Sequence, residues 1–296
     1  MKSVLPTVVL AASLPLCLAG CVVVDTQGHI AREEKRFTVS GVPELNLTTF
    51  DGAIDIRSGD GKTVVVEVEK RGPTPQAIEQ VKVETKQDGN RVDVSVKRPG
   101  RDVEFFGFNG MAATAKLIVT MPREGNVTAR SGDGSIRIEH VSGRLELRTG
   151  DGSIRATGIG GRITLATGDG SVTLDDAYGD VDVDTGDGSV SVAGKLGVVK
   201  LHTGDGSITF RAEPGTTMKD NWSLTTGDGG VSVYLPSDFG AQLDAHTGDG
   251  TIRNELPIRS DDGGENSRRT VKGQLGAGGK ILRIRTGDGS VRLKTS

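Results

Sequence analysis

Three observations predict an all-β solenoid built from coils of about 18 residues, each holding two short strands. A tripeptide, Gly-Asp-Gly, recurs at a fixed interval along most of the chain. Aliphatic and polar residues alternate on both sides of it. The composition suits a thin core, since 44 of 296 residues are glycine while aromatics reach only 3% and apolar residues 34%.

The Asp of this tripeptide stands at 60, 133, 151, 169, 187, 205, 228, 249 and 288, with 18-residue steps from 133 to 205. A constant period near 20 is the signature of a stacked array. Three residues past the Asp stand Ile136, Ile154, Val172, Val190, Ile208, Val231, Ile252 and Val291. Across the eight copies from Asp133 onward, the positions six and four before and three and five after hold 31 aliphatic or aromatic residues out of 32, Asn254 being the exception. Alternation with period two marks strands with one buried face. Strands that align residue for residue favour stacked coils over an antiparallel meander or barrel of the same segments.

The stretch 39–130 reads as an irregular version of the repeats at 131–296. Phe50-Asp51-Gly52 resembles a degenerate corner, Thr74-Pro75 opens a short helical turn running to Val81, and Asp88-Gly89-Asn90 forms a hairpin turn. Insertions interrupt the period at 212–221, 234–241 and 256–279, and the motif returns at Thr286 as a final coil.

The N-terminus reads as an address. Met1 and Lys2 precede an uncharged, Val/Leu/Ala-rich run ending in Leu18-Ala19-Gly20-Cys21, so 1–20 has the layout of a signal peptide. The final four residues resemble the lipobox of bacterial lipoproteins. That resemblance implies cleavage before Cys21 and acylation of it, palmitate included, with 21–38 as a tether. Val22 after the cysteine, in place of Asp, points to outer-membrane sorting in a Gram-negative cell. Cys17 leaves with the signal, so the mature chain keeps no thiol for a disulfide or metal site. Loss of Lys2 takes the net charge from −3 to −4.

The glycines supply tight corners, and the Asp, Thr and Ser side chains can accept backbone N–H groups there. A second reading makes Asp133, Asp151, Asp169, Asp187 and Asp205 a cation row, because stacked carboxylates repel by roughly 1 kcal/mol in water. The glycine order differs from calcium-binding nonapeptides, so no metal or other cofactor is expected. His29, His140, His202 and His246 are scattered, and no hydrolase, zinc or phosphate-loop motif appears, so no catalytic residue is expected. Phe105, Phe106 and Phe108 read as a plug for an open end or as a partner patch. No long basic run is present, which excludes nucleic acid as the main partner.

Thr-Gly-Asp-Gly-Ser-Ile repeats behind a lipobox, with Ala115 to Pro122 leading into them, resemble a bacterial β-strand-repeat family of unknown function whose members carry an adhesin label. The resemblance covers about 39–296 and implies a right-handed, β-helix-like fold at the cell envelope. The combined expectation is a lipid-anchored, non-catalytic scaffold that binds an envelope protein or glycan. The alternatives are an accessory regulator of an envelope-stress pathway, a cation-binding repeat protein and a polysaccharide-active enzyme.

Overall fold

The computed structural model describes residues 22–25, 28–97, 113–259 and 267–296. Its strands build two parallel stacks, one leading into the Gly-Asp-Gly corner and one leaving it. The entry stack runs β7 (Arg91–Lys97), β3 (Glu44–Thr48), β9 (Asn126–Arg130), β11 (Ser142–Thr149), β13 (Gly160–Thr167), then the second halves of β14 (Val172–Thr185) and β15 (Val190–Thr203), then β17 (Trp222–Thr226), β23 (Ile281–Thr286) and β19 (Ala241–Thr247). The exit stack runs β8 (Thr114–Pro122), β4 (Ile54–Gly59), β10 (Ile136–Glu139), β12 (Ile154–Thr157), the first halves of β14 and β15, β16 (Ile208–Ala212), β18 (Val231–Leu235), β24 (Val291–Thr295) and β20 (Ile252–Asn254). Neighbouring coils are parallel and in register, as in a solenoid and unlike a meander.

The inward residues of both stacks form one continuous core. Leu145, Leu147, Ile154, Ile163, Leu165, Val172 and Leu174 are all essentially inaccessible to solvent. Each such side chain contributes about 1.5–3 kcal/mol by leaving water. Asn254, the single polar residue in the columns, lies exposed in β20 at the edge of the exit stack. Its side chain bonds both the N–H and the C=O of Leu256, where a further coil would otherwise sit.

The order of coils departs from the order of the sequence at both ends. Strands β3 and β4 slot between β7/β8 and β9/β10, although they precede both in the chain. At the other end β23 and β24 slot between β17/β18 and β19/β20. The motif at Thr286 is therefore the last in sequence but the penultimate in space. Antiparallel strands close the ends. They are β5 (Thr63–Gly72) and β2 (Gly28–Thr38) beyond β8, β6 (Lys82–Asp88) beyond β7, and β22 (Thr270–Leu275) with β21 (Ile258–Arg259) beyond β19.

Two expectations change. The 21–38 segment is not a free tether: β1 (Val22–Asp25) pairs with β2, and β2 pairs with β5 from His29 to Thr38. Gly59-Asp60-Gly61 lies in the turn that carries the chain from β4 past β8 to β5, with Gly61 at φ 91°, and belongs to no corner column. Asp51 takes that place instead, because Gly52 lies directly under Gly134. As expected, α1 (Pro75–Glu79) begins where the Thr74 hydroxyl accepts the Ala77 N–H, and it carries Ile78 into the N-terminal end.

Corner chemistry repeats from coil to coil. The Thr149 hydroxyl donates to the Gly132 and Gly134 carbonyls of the coil beneath, at 3.0 and 2.8 Å. Thr167, Thr185, Thr203, Thr226, Thr286 and Thr247 do the same, and Ser131 makes the equivalent bond to the Gly52 carbonyl at 2.9 Å. The glycine after each Asp is required by close approach, since a Cβ at Gly188 would overlap the Gly170 carbonyl. Replacing Thr185 by Val strands buried carbonyls and lowers the unfolding free energy by about 1–3 kcal/mol in urea titration. Gly188→Ala costs more, about 3 kcal/mol or above, since backbone must move.

Ion pairs hold the slotted C-terminal coil. Arg285 of β23 donates to the Asp244 carboxylate of β19 at 2.5 Å and to its backbone carbonyl at 2.7 Å, with Lys272 and Arg283 within 4 Å of the carboxylate. Partial burial pushes the Asp244 carboxyl up, but the Arg285 hydrogen bond and the three positive charges outweigh it and hold it below the usual range. A carboxyl depressed in the folded state adds stability above its unfolded pKa, which is lost as pH falls through the folded value. Asp244→Asn is thus expected to destabilise at neutral pH, with the gap from the parent closing below about pH 3.9 in acid titrations of stability.

Candidate functional site at the loop edge

The two edges of the flattened solenoid differ. At the corner edge, Asp133, Asp151, Asp169, Asp187 and Asp205 form one exposed file. None of these carboxylates has a hydrogen bond or ion pair among the described residues. The expected capping by Asp is performed instead by the threonine two residues earlier, whose hydroxyl also accepts the N–H of the glycine after the Asp at Gly206, Gly229 and Gly289. Among the described residues no group of three or more His, Cys, Asp or Glu side chains is arranged to hold a metal ion.

The opposite edge carries the insertions at 213–221 and 236–240 and the turn at 276–280 that follows β22. Loops 213–221, 236–240 and 276–280 meet there around a cavity of about 670 Å³, lined by Thr217, Met218, Asp238, Gly240, Gly279 and Lys280 among others. Gly240 fits directly against the Gly278 carbonyl, which joins two of the loops. Their support is aromatic. Trp222 meets Phe210 edge-on at 5.3 Å and Phe239 at 5.3 Å, and its indole N–H donates to the Gly197 carbonyl at 2.9 Å. Asp238 and Lys280 have no ion pair among the described residues, so both charges are available to a ligand.

Residues 42–294, which hold both stacks and both slotted end coils, match the family described as Toastrack DUF4097. The chain belongs to this family. Among solved structures, the Toastrack chain is similar to a "putative lipid binding protein" from Parabacteroides distasonis, at 13% identity and a TM-score of 0.46, covering 89% of this chain and 96% of that one. It is also similar to a "putative adhesin" from Bacteroides fragilis, at 12% identity, 90% and 97% coverage and a TM-score of 0.42. A third is a "putative adhesin" from Parabacteroides merdae, at 13% identity, 88% and 95% coverage and a TM-score of 0.37. No curated protein matches.

Cys21, Phe105, Phe106 and Phe108 lie outside the described residues of this Toastrack chain. The histidines do not converge. His140 adopts φ 57° in a turn, while His202 and His246 point outward from different coils. No helix among the described residues is long and apolar enough to cross a membrane. The loop cavity was only partly legible in sequence: the insertions show, but not which of their loops meet. The unpaired Asp file leads to a salt test. Asp169→Asn should raise the unfolding free energy by up to about 1 kcal/mol at low ionic strength. The gain should fade above about 0.5 M NaCl, as screening removes the repulsion.

Proposed function

We propose that this Toastrack chain is a non-catalytic binding scaffold of the bacterial cell envelope, lipid-anchored through Cys21 and sorted to the outer membrane. The observation that carries the binding role is the meeting of three loops, 213–221, 236–240 and 276–280, around one cavity at one edge of the stack. Insertions of this kind in repeat proteins commonly form the binding face. The loop cavity offers a carboxylate, an ammonium, hydroxyls and open glycine backbone, without any constellation of nucleophile and base. Its partner is an envelope protein or glycan. The lipobox supports the anchor. Val22, the residue after Cys21, is already in a paired strand, so acylation would hold the N-terminal end close to the bilayer.

Crosslinking in the native cell, followed by affinity capture and mass spectrometry, tests the scaffold. A captured envelope component that is lost in an Asp238→Lys, Lys280→Glu double variant supports it. Retention of that component by the double variant moves the site off the loop edge, and capture of nothing removes the binding role. Membrane fractionation tests the anchor: Cys21→Ser should release the protein into the soluble fraction, and unchanged membrane association would sink the lipid reading.

A further inference from the structure

The outer face of the entry stack carries a second feature, built where the ladder is irregular. Between β14 and β15 the register shifts so that Gly179 faces Leu196 while Asp180 faces Val198, leaving Gly197 as an extra residue. Its carbonyl is taken by Trp222 and by the Lys219 N–H. This bulge opens a groove of about 360 Å³ lined by Arg162, Thr164, Asp180, Asp182, Val198 and Lys200. Bulges commonly re-aim side chains beside functional sites.

Beside the groove lies Tyr178, 43% exposed and the only exposed large aromatic among the described residues. Its ring rests on Gly160, where a Cβ would overlap it, and its hydroxyl bonds Ser142, so one face is held down and the other meets solvent. Register sets three files side by side. They are Ser142, Gly160 and Tyr178; then Arg144, Arg162, Asp180 and Val198; then Glu146, Thr164, Asp182 and Lys200. The patch measures roughly 13 Å along the strands by 14 Å across the coils.

The charges are unevenly satisfied. Glu146 is neutralised by Arg130 and Arg148, and Asp180 by Lys219. Arg144 and Arg162 are stacked on adjacent coils, exposed, and without an ion pair among the described residues, as is Lys200. Like charges placed directly opposite on neighbouring strands are unfavourable, and an anion between them removes the cost. Guanidinium groups grip carboxylate or phosphate in a bidentate manner, while Thr164 and Asp182 can exchange hydrogen bonds with hydroxyls.

We propose that this groove binds a segment of acidic glycan two or three sugars long, with one sugar face on Tyr178, its anionic groups on Arg144, Arg162 and Lys200, and a hydroxyl on Asp182. The inference rests on the reading of the domain as a binding scaffold and places a ligand on the outer face beside loop 213–221, outside the loop cavity. Isothermal titration of the folded domain tests it with three probes: hexagalacturonate, a phosphorylated mannan oligosaccharide and neutral maltohexaose. Binding of either acidic probe at least tenfold tighter than maltohexaose is expected, weakening as salt rises. The stronger of the two identifies the anionic group as carboxylate or phosphate. Arg162→Glu and Tyr178→Ala should each weaken binding at least tenfold with an unchanged thermal midpoint, while Tyr178→Phe keeps most of it. Absence of acidic binding, equal affinity for the neutral probe, or indifference to both variants would overturn the proposal. If crosslinking still captures an envelope component while no acidic glycan binds, the groove inference fails and the scaffold reading stands.

Discussion

The threonine hydroxyl that spans two glycine carbonyls of the neighbouring coil is the contact on which the architecture depends. A turn normally ends a ladder, because its backbone groups leave the sheet and look to water. Here the turn continues the ladder. The Gly150 N–H bonds the Gly132 carbonyl, Thr149 takes that carbonyl's remaining capacity, and the same hydroxyl takes the Gly134 carbonyl. Sheet spacing therefore persists around the corner, and it persists only because no Cβ stands in the gap. The asymmetry of the molecule follows. An insertion at the corner edge would break bonds to two coils, whereas the opposite turns tolerate added residues, and the insertions at 213–221 and 236–240 are found there.

Where local chemistry differs from coil to coil, the sequence discloses the fold. The aliphatic columns, the hairpin at Gly89 and the Thr74 cap all follow from short-range rules. Asn254 announces an end because a buried column cannot carry an unpartnered amide. Asp60 misleads because Gly-Asp-Gly serves equally well in an ordinary turn between strands. The difference lies farther out: Asp51 has Thr49 two residues before it and Leu45, Leu47, Ile54 and Ile56 at the core positions, and Asp60 lacks this set. The order of coils was not legible at all. Each coil presents the same columns to its neighbours, so nothing local distinguishes one stacking order from another. The antiparallel strands β5 and β22 decide it, by carrying the chain past one level before it returns.

The candidate sites divide similarly. The exposed Asp file was visible in sequence, as was the presence of insertions. The Tyr178 groove was not, because it arises from a one-residue slip between β14 and β15 and from glycine at position 160, neither of which changes the repeat's appearance. Phe210, Trp222 and Phe239 fill the part of the core beneath the loops, while Phe37 lies in the core near the N-terminal end.

Slotting both terminal strand pairs into penultimate levels governs how the chain is finished. An ordinary solenoid completes itself coil by coil as it is synthesised, since each new coil finds a finished one to rest on. Here β19 and β20 have no final seat until β23 and β24, which follow them in the chain, arrive between them and the body. The stack therefore closes only after residues 281–295 have been made, and a chain that stops short of them retains an open gap of one coil. The same interlock leaves the middle of the stack, with its regular 18-residue spacing, as the place where a whole coil can be added without disturbing either end.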